Sequence, residues 1–234
     1  MNKALTILST KLLDEQWVAA AEAAGISIEQ KSFIKTTPIL NEQLANHVKA
    51  LASQQLVVVF TSVNAVTAVH SLLNDAQPRW TVHCLSGATL NTVRSLLPGC
   101  HIAATAPNAT ELAETIIRAF ERSVVHFCGN RRLPTLRMTL DDESIDDHEV
   151  IVYETMLTPH TVDSEYDGIM FFSPSAGDSF FSANKPDRNT PLFAIGSTTA
   201  IELNEHQHPV YISDAPTQES MIQKITEHFN QINA

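Results

Sequence analysis

Two stretches of this chain share an unusual design. The runs "LVVVF" (56–60) and "GIMFF" (168–172) are apolar on nearly every residue, so neither alternates as a strand with one wet face would. Each ends directly on hydroxyls, Thr61-Ser62 in the first and Ser173 in the second, and each is followed by an amphipathic helical pattern. A strand apolar on both faces needs cover on both, which a parallel sheet between two layers of helices provides. In such sheets ligands bind outside the carboxyl ends of the strands, where these hydroxyls fall.

The two stretches belong to a weak internal repeat. Phe60-Thr61-Ser62 matches Phe172-Ser173-Pro174, "SGATLNTV" matches "GSTTAIEL" through Thr89 and Thr199, and "APNATELAETI" matches "APTQESMIQKI" through Pro107 and Pro216, at offsets of 112, 110 and 109 residues. The fronts of the halves correspond too, "TILSTKL" with "HFCGNRR" and "FIKTTP" with "YETMLTP". Ten strands are expected: 4–8, 26–34, 56–60, 81–85, 101–105, 124–128, 149–154, 168–172, 192–196 and 209–213. Helical patterns lie between them, "DEQWVAAAEAAG" closing on Gly25, "NATELAETIIRAF" opening from an Asn or Thr cap and "TQESMIQKITEHF" near the end. The expected fold is α/β, two similar parallel-sheet domains joined by a two-stranded linker, with a single doubly wound sheet as the alternative. The terminal segments 1–35 and 157–234 together make one domain, and 36–156 is inserted as the other.

Composition narrows the function classes. A net charge of −11 over 234 residues, with no basic stripe, argues against nucleic acid. An anionic ligand would instead be met by backbone N–H groups and hydroxyls at helix starts. The three cysteines, Cys84, Cys100 and Cys128, are widely spaced and suggest neither a disulfide framework nor a zinc set. No signal-peptide pattern or membrane span is visible, so a cytoplasmic protein is expected. Seven glycines and no Gly-x-Gly-x-x-Gly or Walker pattern leave little room for a nucleotide loop. The acidic run "DDESIDDHE" (141–149) lacks calcium-loop spacing and is expected to be a solvated helix end and loop. His206 and His208 are expected in an exposed turn rather than on zinc.

Laid out this way, the chain resembles the uroporphyrinogen-III synthase family. The landmarks are "VVFTSVNAV", "HFCGNRRLPTL", "VIVYET", "IMFFSPSAGDSFF", "FAIGSTTAIEL" and "APTQESM", in that order over residues 57–221, with "ILSTK" as a variant of the opening strand. Lys11 stands where the family commonly has Arg, Ser86 where it has Gly, and Ala176-Gly177 where Gly commonly follows Ser175 directly. The resemblance implies a cofactor-free enzyme of tetrapyrrole synthesis; a metal-free monomer is expected because the sequence signals neither a metal set nor an obligate interface. Such an enzyme closes linear hydroxymethylbilane into uroporphyrinogen III, with loss of water and inversion of the last pyrrole ring. Its partner is a small molecule, a linear tetrapyrrole polycarboxylate, and not a nucleic acid or a membrane.

On that resemblance, substrate carboxylates are expected at Thr10, Lys11, Ser62, Asn64, Thr89, Gly129, Asn130, Arg131, Ser173, Ser175 and Thr199. Each hydroxyl alone also reads as an ordinary N-cap serving its own helix. In "CGNRR", Gly129 permits close approach of backbone, Asn130 can cap, and Arg131 or Arg132 can reach a propionate. The resemblance places the Tyr153 phenol where it assists departure of the substrate hydroxyl, the catalytic role expected here. A bilobal binder of small anions without catalysis is the alternative. No triad or metal set is evident, which suits a reaction governed by folding of the substrate.

Overall fold

The computed structural model describes residues 5–163 and 165–232. Ala4, the expected first residue of the opening strand, lies outside them. The elements run β1 (Leu5–Ser9), α1 (Glu15–Ala23), β2 (Ile26–Gln30), β3 (Ile34–Pro38), α2 (Glu42–Ala52), β4 (Val57–Phe60), α3 (Val63–Leu73), β5 (Thr81–Leu85), α4 (Ala88–Leu96) and β6 (His101–Ala106). They continue as α5 (Ala109–Arg118), β7 (Ser123–Gly129), α6 (Thr135–Asp142), β8 (Asp146–Leu157), β9 (Gly168–Phe171), α7 (Pro174–Phe181), β10 (Leu192–Ala194), α8 (Ser197–Asn204), β11 (Val210–Ile212) and α9 (Gln218–Ile232).

The chain divides into two compact units, Met1–Lys35 with Met156–Ala234, and Thr36–Thr155. The first unit's sheet has the order β11-β10-β9-β1-β2, with β1 parallel to both β2 and β9. The second unit's sheet has the order β3-β8-β7-β4-β5-β6, with β7 parallel to β8 and β4. Apart from β3 the two orders are the same, because β1, β2, β9, β10 and β11 correspond in turn to β7, β8, β4, β5 and β6. The repeat read in the sequence is therefore a repeat of topology. In each sheet the direction of winding reverses once, between β1 and β9 and between β7 and β4. A crevice opens at the carboxyl ends of strands at such a reversal.

Helices cover both faces of each sheet, as the two-sided apolar runs require. In the second unit Phe60, Val58, Val82 and Phe127 pack with Val66, Val69 and Val93 from α3 and α4. Val59 and Val124 face the other way onto Leu112 and Ile116 of α5 and Leu136 and Leu140 of α6. In the first unit Ile7, Met170 and Phe193 meet α9, while Leu8, Phe171 and Ala194 meet α7 and α8. Burying one such aliphatic or aromatic side chain contributes about 1.5–3 kcal/mol, before conformational entropy offsets most of the sum.

Two sequence readings are corrected. The expected strand 26–34 is two strands, broken at Lys31–Phe33. There the backbone turns aside: Lys31 N–H donates to the Ser9 carbonyl, the Ser32 hydroxyl donates to the Ile34 carbonyl, and the Phe33 ring is fully buried. The acidic run 141–149 is not all solvated loop, since β8 begins at Asp146 and pairs with β7 from Ser123↔Asp146 onward. That register turns the side chains of Asp147 and Glu149 into the structure, where they are 0% and 9% exposed.

Candidate functional site

In the second unit the polar residues gather at the carboxyl ends of β4, β5 and β7. Ser62 is the N-cap of α3, its Oγ accepting from Asn64 N–H at 3.1 Å, and both residues lie at the helix start. Thr89 sits in the first turn of α4, whose cap is Gly87 with φ +74°, and is 6% exposed. That positive φ shows how the chain uses a glycine one place later than the family pattern.

Tyr153, on β8, leans across the end of β7. A Cβ on Gly129 would lie 2.5 Å from Cε2 and from Cζ of the Tyr153 ring and 2.9 Å from its Oη. Gly129 therefore makes room for the tyrosine, and the close approach expected of it is taken up inside the protein. Burial pushes the Tyr153 phenol above its ordinary pKa, a hydrogen bond with Ser62 pulls it down, and the neighbouring Cys128 pushes it further up. The phenol thus stays protonated through neutral and mildly alkaline pH and is joined to the N-cap of α3.

Asn130 does not cap α6, which starts at Thr135 after Pro134 without a side-chain cap. It extends the β7–β8 ladder: Asn130 N–H donates to the Tyr153 carbonyl at 3.2 Å, and its Oδ1 accepts from Thr155 N–H at 2.8 Å. This bracket clamps the backbone on both sides of Glu154. Of the two arginines that follow, Arg131 is exposed. Arg132 is committed to Glu149, its Nε donating to Oε1 at 2.7 Å and its second nitrogen to Oε2, while Arg137 Nη1 donates to Oε2 at 3.1 Å. The Arg132 hydrogen bond holds the Glu149 carboxyl below its ordinary range.

His126, Cys128 and Glu149 present ligand atoms within 4.8 Å of one another. They do not make a good metal site. Both carboxylate oxygens of Glu149 already bind guanidinium groups, and burial pushes the Cys128 thiol up to about 12, so an ion would have to displace two arginines and a tightly held proton. The local charge is balanced by arginine.

The first unit repeats the pattern at β1, β9 and β10. Ser173 is the N-cap of α7, its Oγ accepting from Ala176 N–H at 3.2 Å, with Ser175 half-buried in the first turn. Thr199 lies in the first turn of α8 and is 3% exposed. Thr10 is buried, its hydroxyl donating to the Met170 carbonyl at 2.8 Å, so it ties β1 to β9. Lys11 is exposed, with its ammonium 5.7 Å from the centre of the Phe172 ring. His206 stacks on Phe181 with ring centres 3.7 Å apart, and is a packed residue more than an exposed one.

Ser62, Asn64, Thr89, Gly129, Asn130, Arg131 and Tyr153 thus share one sheet end, and Thr10, Lys11, Ser173, Ser175 and Thr199 share the other. Sequence reasoning put the Thr61 hydroxyl at this sheet end but missed its partner His126, whose Nε2 lies 3.2 Å from it, and Asp147 behind that ring. A polar residue amid the apolar run "VVHFC" was the available signal.

Two parallel α/β units of one strand order, each with hydroxyl-bearing helix starts at its winding reversal, define a duplicated α/β protein with a polar candidate site on each sheet. A family model described as uroporphyrinogen-III synthase HemD matches residues 15–223. The chain belongs to the uroporphyrinogen-III synthase family, and its activity is that synthase step of tetrapyrrole synthesis. Solved structures share the fold. A selenomethionine mutant of the uroporphyrinogen III synthase from the extreme thermophile Thermus thermophilus superposes with a TM-score of 0.73 at 16% identity, covering 97% of this chain and 100% of that one. The Helicobacter pylori uroporphyrinogen-III synthetase gives 0.65 at 18% identity, covering 96% and 99%. The wild-type Thermus enzyme in a second crystal form gives 0.57 at 16%, covering 99% and 100%. No curated protein sequence matches the chain. No helix of the described residues is long and apolar enough to cross a membrane.

Proposed function

We propose that the polar sheet ends of both units hold the carboxylate arms of hydroxymethylbilane and that Tyr153 assists loss of its hydroxyl. The observation that carries this reading is the pair of N-cap serines, Ser62 and Ser173, at equivalent winding reversals, one of them hydrogen-bonded to a half-buried phenol. Free N–H groups of the first helical turn, with the side chains of Asn64, Thr89, Asn130, Ser175 and Thr199 beside them, bind carboxylates without adding positive charge to an acidic protein. Arg131, Lys11, Thr10 and Gly129 complete the two sets. A linear tetrapyrrole that is fixed at many points has few ways left to close.

The bilane hydroxyl is expelled by lone-pair donation from its own pyrrole nitrogen, so the protein need only help. With its pKa raised, Tyr153 is a weak acid held in its donor form, suited to hydrogen-bonding the departing oxygen and passing it a proton as water forms. Holding the last ring for attack through its substituted carbon, and away from direct closure, supplies the remaining selectivity by orientation. The reaction runs on these groups alone, in a monomer in the cytoplasm that does not bind nucleic acid.

Purified protein given freshly made hydroxymethylbilane should form the type III isomer without added metal or nucleotide. Tyr153→Phe should lower kcat by about a hundredfold, the low end of general acid assistance. Type I product alone, at the spontaneous rate, would overturn the proposal and leave a small-anion binder, which calorimetry with small carboxylates would reveal. Wild-type kcat in Tyr153→Phe would remove the tyrosine from the mechanism.

A further inference from the structure

Beneath the polar end of the second sheet lies a line of side chains that none of the roles above uses. Asp147 on β8 is 0% exposed, and neither of its oxygens has a hydrogen-bond partner. Its Oδ2 lies 3.6 Å from Nδ1 of His126 on β7, a ring only 3% exposed whose Nδ1 also lacks a partner. On the far side of the ring, Nε2 lies 3.2 Å from Oγ1 of Thr61. Thr61 is half-buried at the end of β4, directly before Ser62. The line therefore starts at a buried carboxylate, crosses one imidazole and finishes on a hydroxyl at the winding reversal between β7 and β4.

A buried carboxylate that accepts no hydrogen bond is costly unless a proton faces it. The ring nitrogen placed to supply one is Nδ1, which fixes the tautomer by the network around it. With its proton on Nδ1, the ring leaves a lone pair on Nε2, and that lone pair accepts the Thr61 O–H. The Thr61 oxygen then turns its own lone pairs outward. The other charged or titratable groups around the ring, Cys128, Glu149 and Arg132, do not compete for it. Glu149 is bound to Arg132 and Arg137, and the Cys128 thiol is directed at the Val150 carbonyl.

We propose that His126, oriented by Asp147, is a positioning residue that sets the Thr61 hydroxyl as a hydrogen-bond acceptor for a pyrrole N–H of the substrate. Carboxylate arms call for donors, and the hydroxyl-rich helix starts provide them. The N–H of a pyrrole needs the reverse, and Thr61 is the hydroxyl whose proton is taken from behind. This inference rests on the sheet ends being the substrate site.

Four single variants, one double variant and one spectrum test it. Thr61→Val should lower kcat/KM about tenfold, and Thr61→Ser should recover most of that loss. His126→Gln and Asp147→Asn should each cost a comparable factor. If His126 acts through Thr61, the double variant Thr61→Val with His126→Gln falls no further than Thr61→Val alone. Nitrogen-15 NMR of the folded protein should show His126 with its proton on Nδ1, and that signature should change in Asp147→Asn. Multiplicative losses in the double variant, an Nε2-protonated ring, or wild-type kinetics in Thr61→Val would each overturn the proposal. Should Thr61→Val be silent while Tyr153→Phe is impaired, this inference alone fails. Should both be silent, the reading of the site fails with it. A variant that does not fold is replaced in the set by the NMR measurement, which needs only the wild-type protein.

Discussion

The contact between Gly129 and Tyr153 makes the sharpest single test. Alanine at 129 would place a methyl carbon 2.5 Å from two ring carbons of Tyr153, against the 3.5–4.0 Å at which carbons normally rest. The backbone has no objection, since Gly129 lies in strand conformation and not at a positive φ. The strain therefore falls on the ring, which must withdraw by roughly 1 Å or leave its pocket. Overpacking of this kind costs about 1–3 kcal/mol of stability. A displacement near 1 Å of a group that meets the reacting atoms costs up to about a hundredfold in rate. The Ser62 hydrogen bond to the phenol should be lost as well, shifting the N-cap of α3. Gly129→Ala should thus give a folded enzyme, melting several degrees lower, with kcat for type III formation close to that of Tyr153→Phe. The assay is isomer analysis of the oxidised products after a timed reaction, beside a thermal melt. In a Tyr153→Ala background the ring is gone, and adding Gly129→Ala should cost little more. A Gly129→Ala variant with unchanged melting and unchanged kcat would refute the steric reasoning.

Other outcomes follow from the buried charges and thiols. Glu149→Gln removes a carboxylate bound by two arginines and should destabilise the second unit by about 2 kcal/mol at pH 7 in chemical unfolding. Because its folded pKa is lowered, chiefly by the Arg132 hydrogen bond, the stability Glu149 gives is complete above the ordinary carboxylate pKa of about 4.3 and is lost as pH falls through the lowered folded value. The gap between wild type and Glu149→Gln should therefore close in acid, and a constant gap would contradict the pairing. Burial pushes the thiols of Cys84 and Cys128 up to about 11 and about 12, so in native protein iodoacetamide should label Cys100 first. Peptide mass analysis finding Cys128 labelled at the same rate as Cys100 would mean that β7 opens readily.

The two α/β sheets were legible because their strands are defined by what they bury. Runs such as "LVVVF" and "TVHCL" carry the signal for a covered parallel strand within themselves, and "TVHCL" is β5 residue for residue. The Asn108 cap was legible for the same reason, since its partner Glu111 is three residues away: Asn108 Oδ1 accepts from Glu111 N–H and its Nδ2 donates to the Glu111 carboxylate. What escaped depended on partners far along the chain. Nothing near Asp147 or Glu149 says that one faces a histidine on β7 and the other two arginines, so local composition reads them as solvated acids. Asn130 likewise looks like a cap until β8 supplies Thr155 opposite it. Gly129 looked like a place for ligand because the ring that fills the space is 24 residues on. The break at Lys31–Phe33 was hidden because no glycine or proline in residues 26–34 marks a turn.

The interrupted layout of the first unit has a consequence for how the polypeptide is made. Strand β1 is a central member of its sheet, yet one of its two neighbours, β9, is encoded only after the whole of the inserted unit. On the ribosome the opening βαβ piece waits with an unpaired flank while Thr36–Thr155 has everything it needs to fold. The middle of the chain can thus mature first, and the outer unit becomes complete only when translation has passed α9.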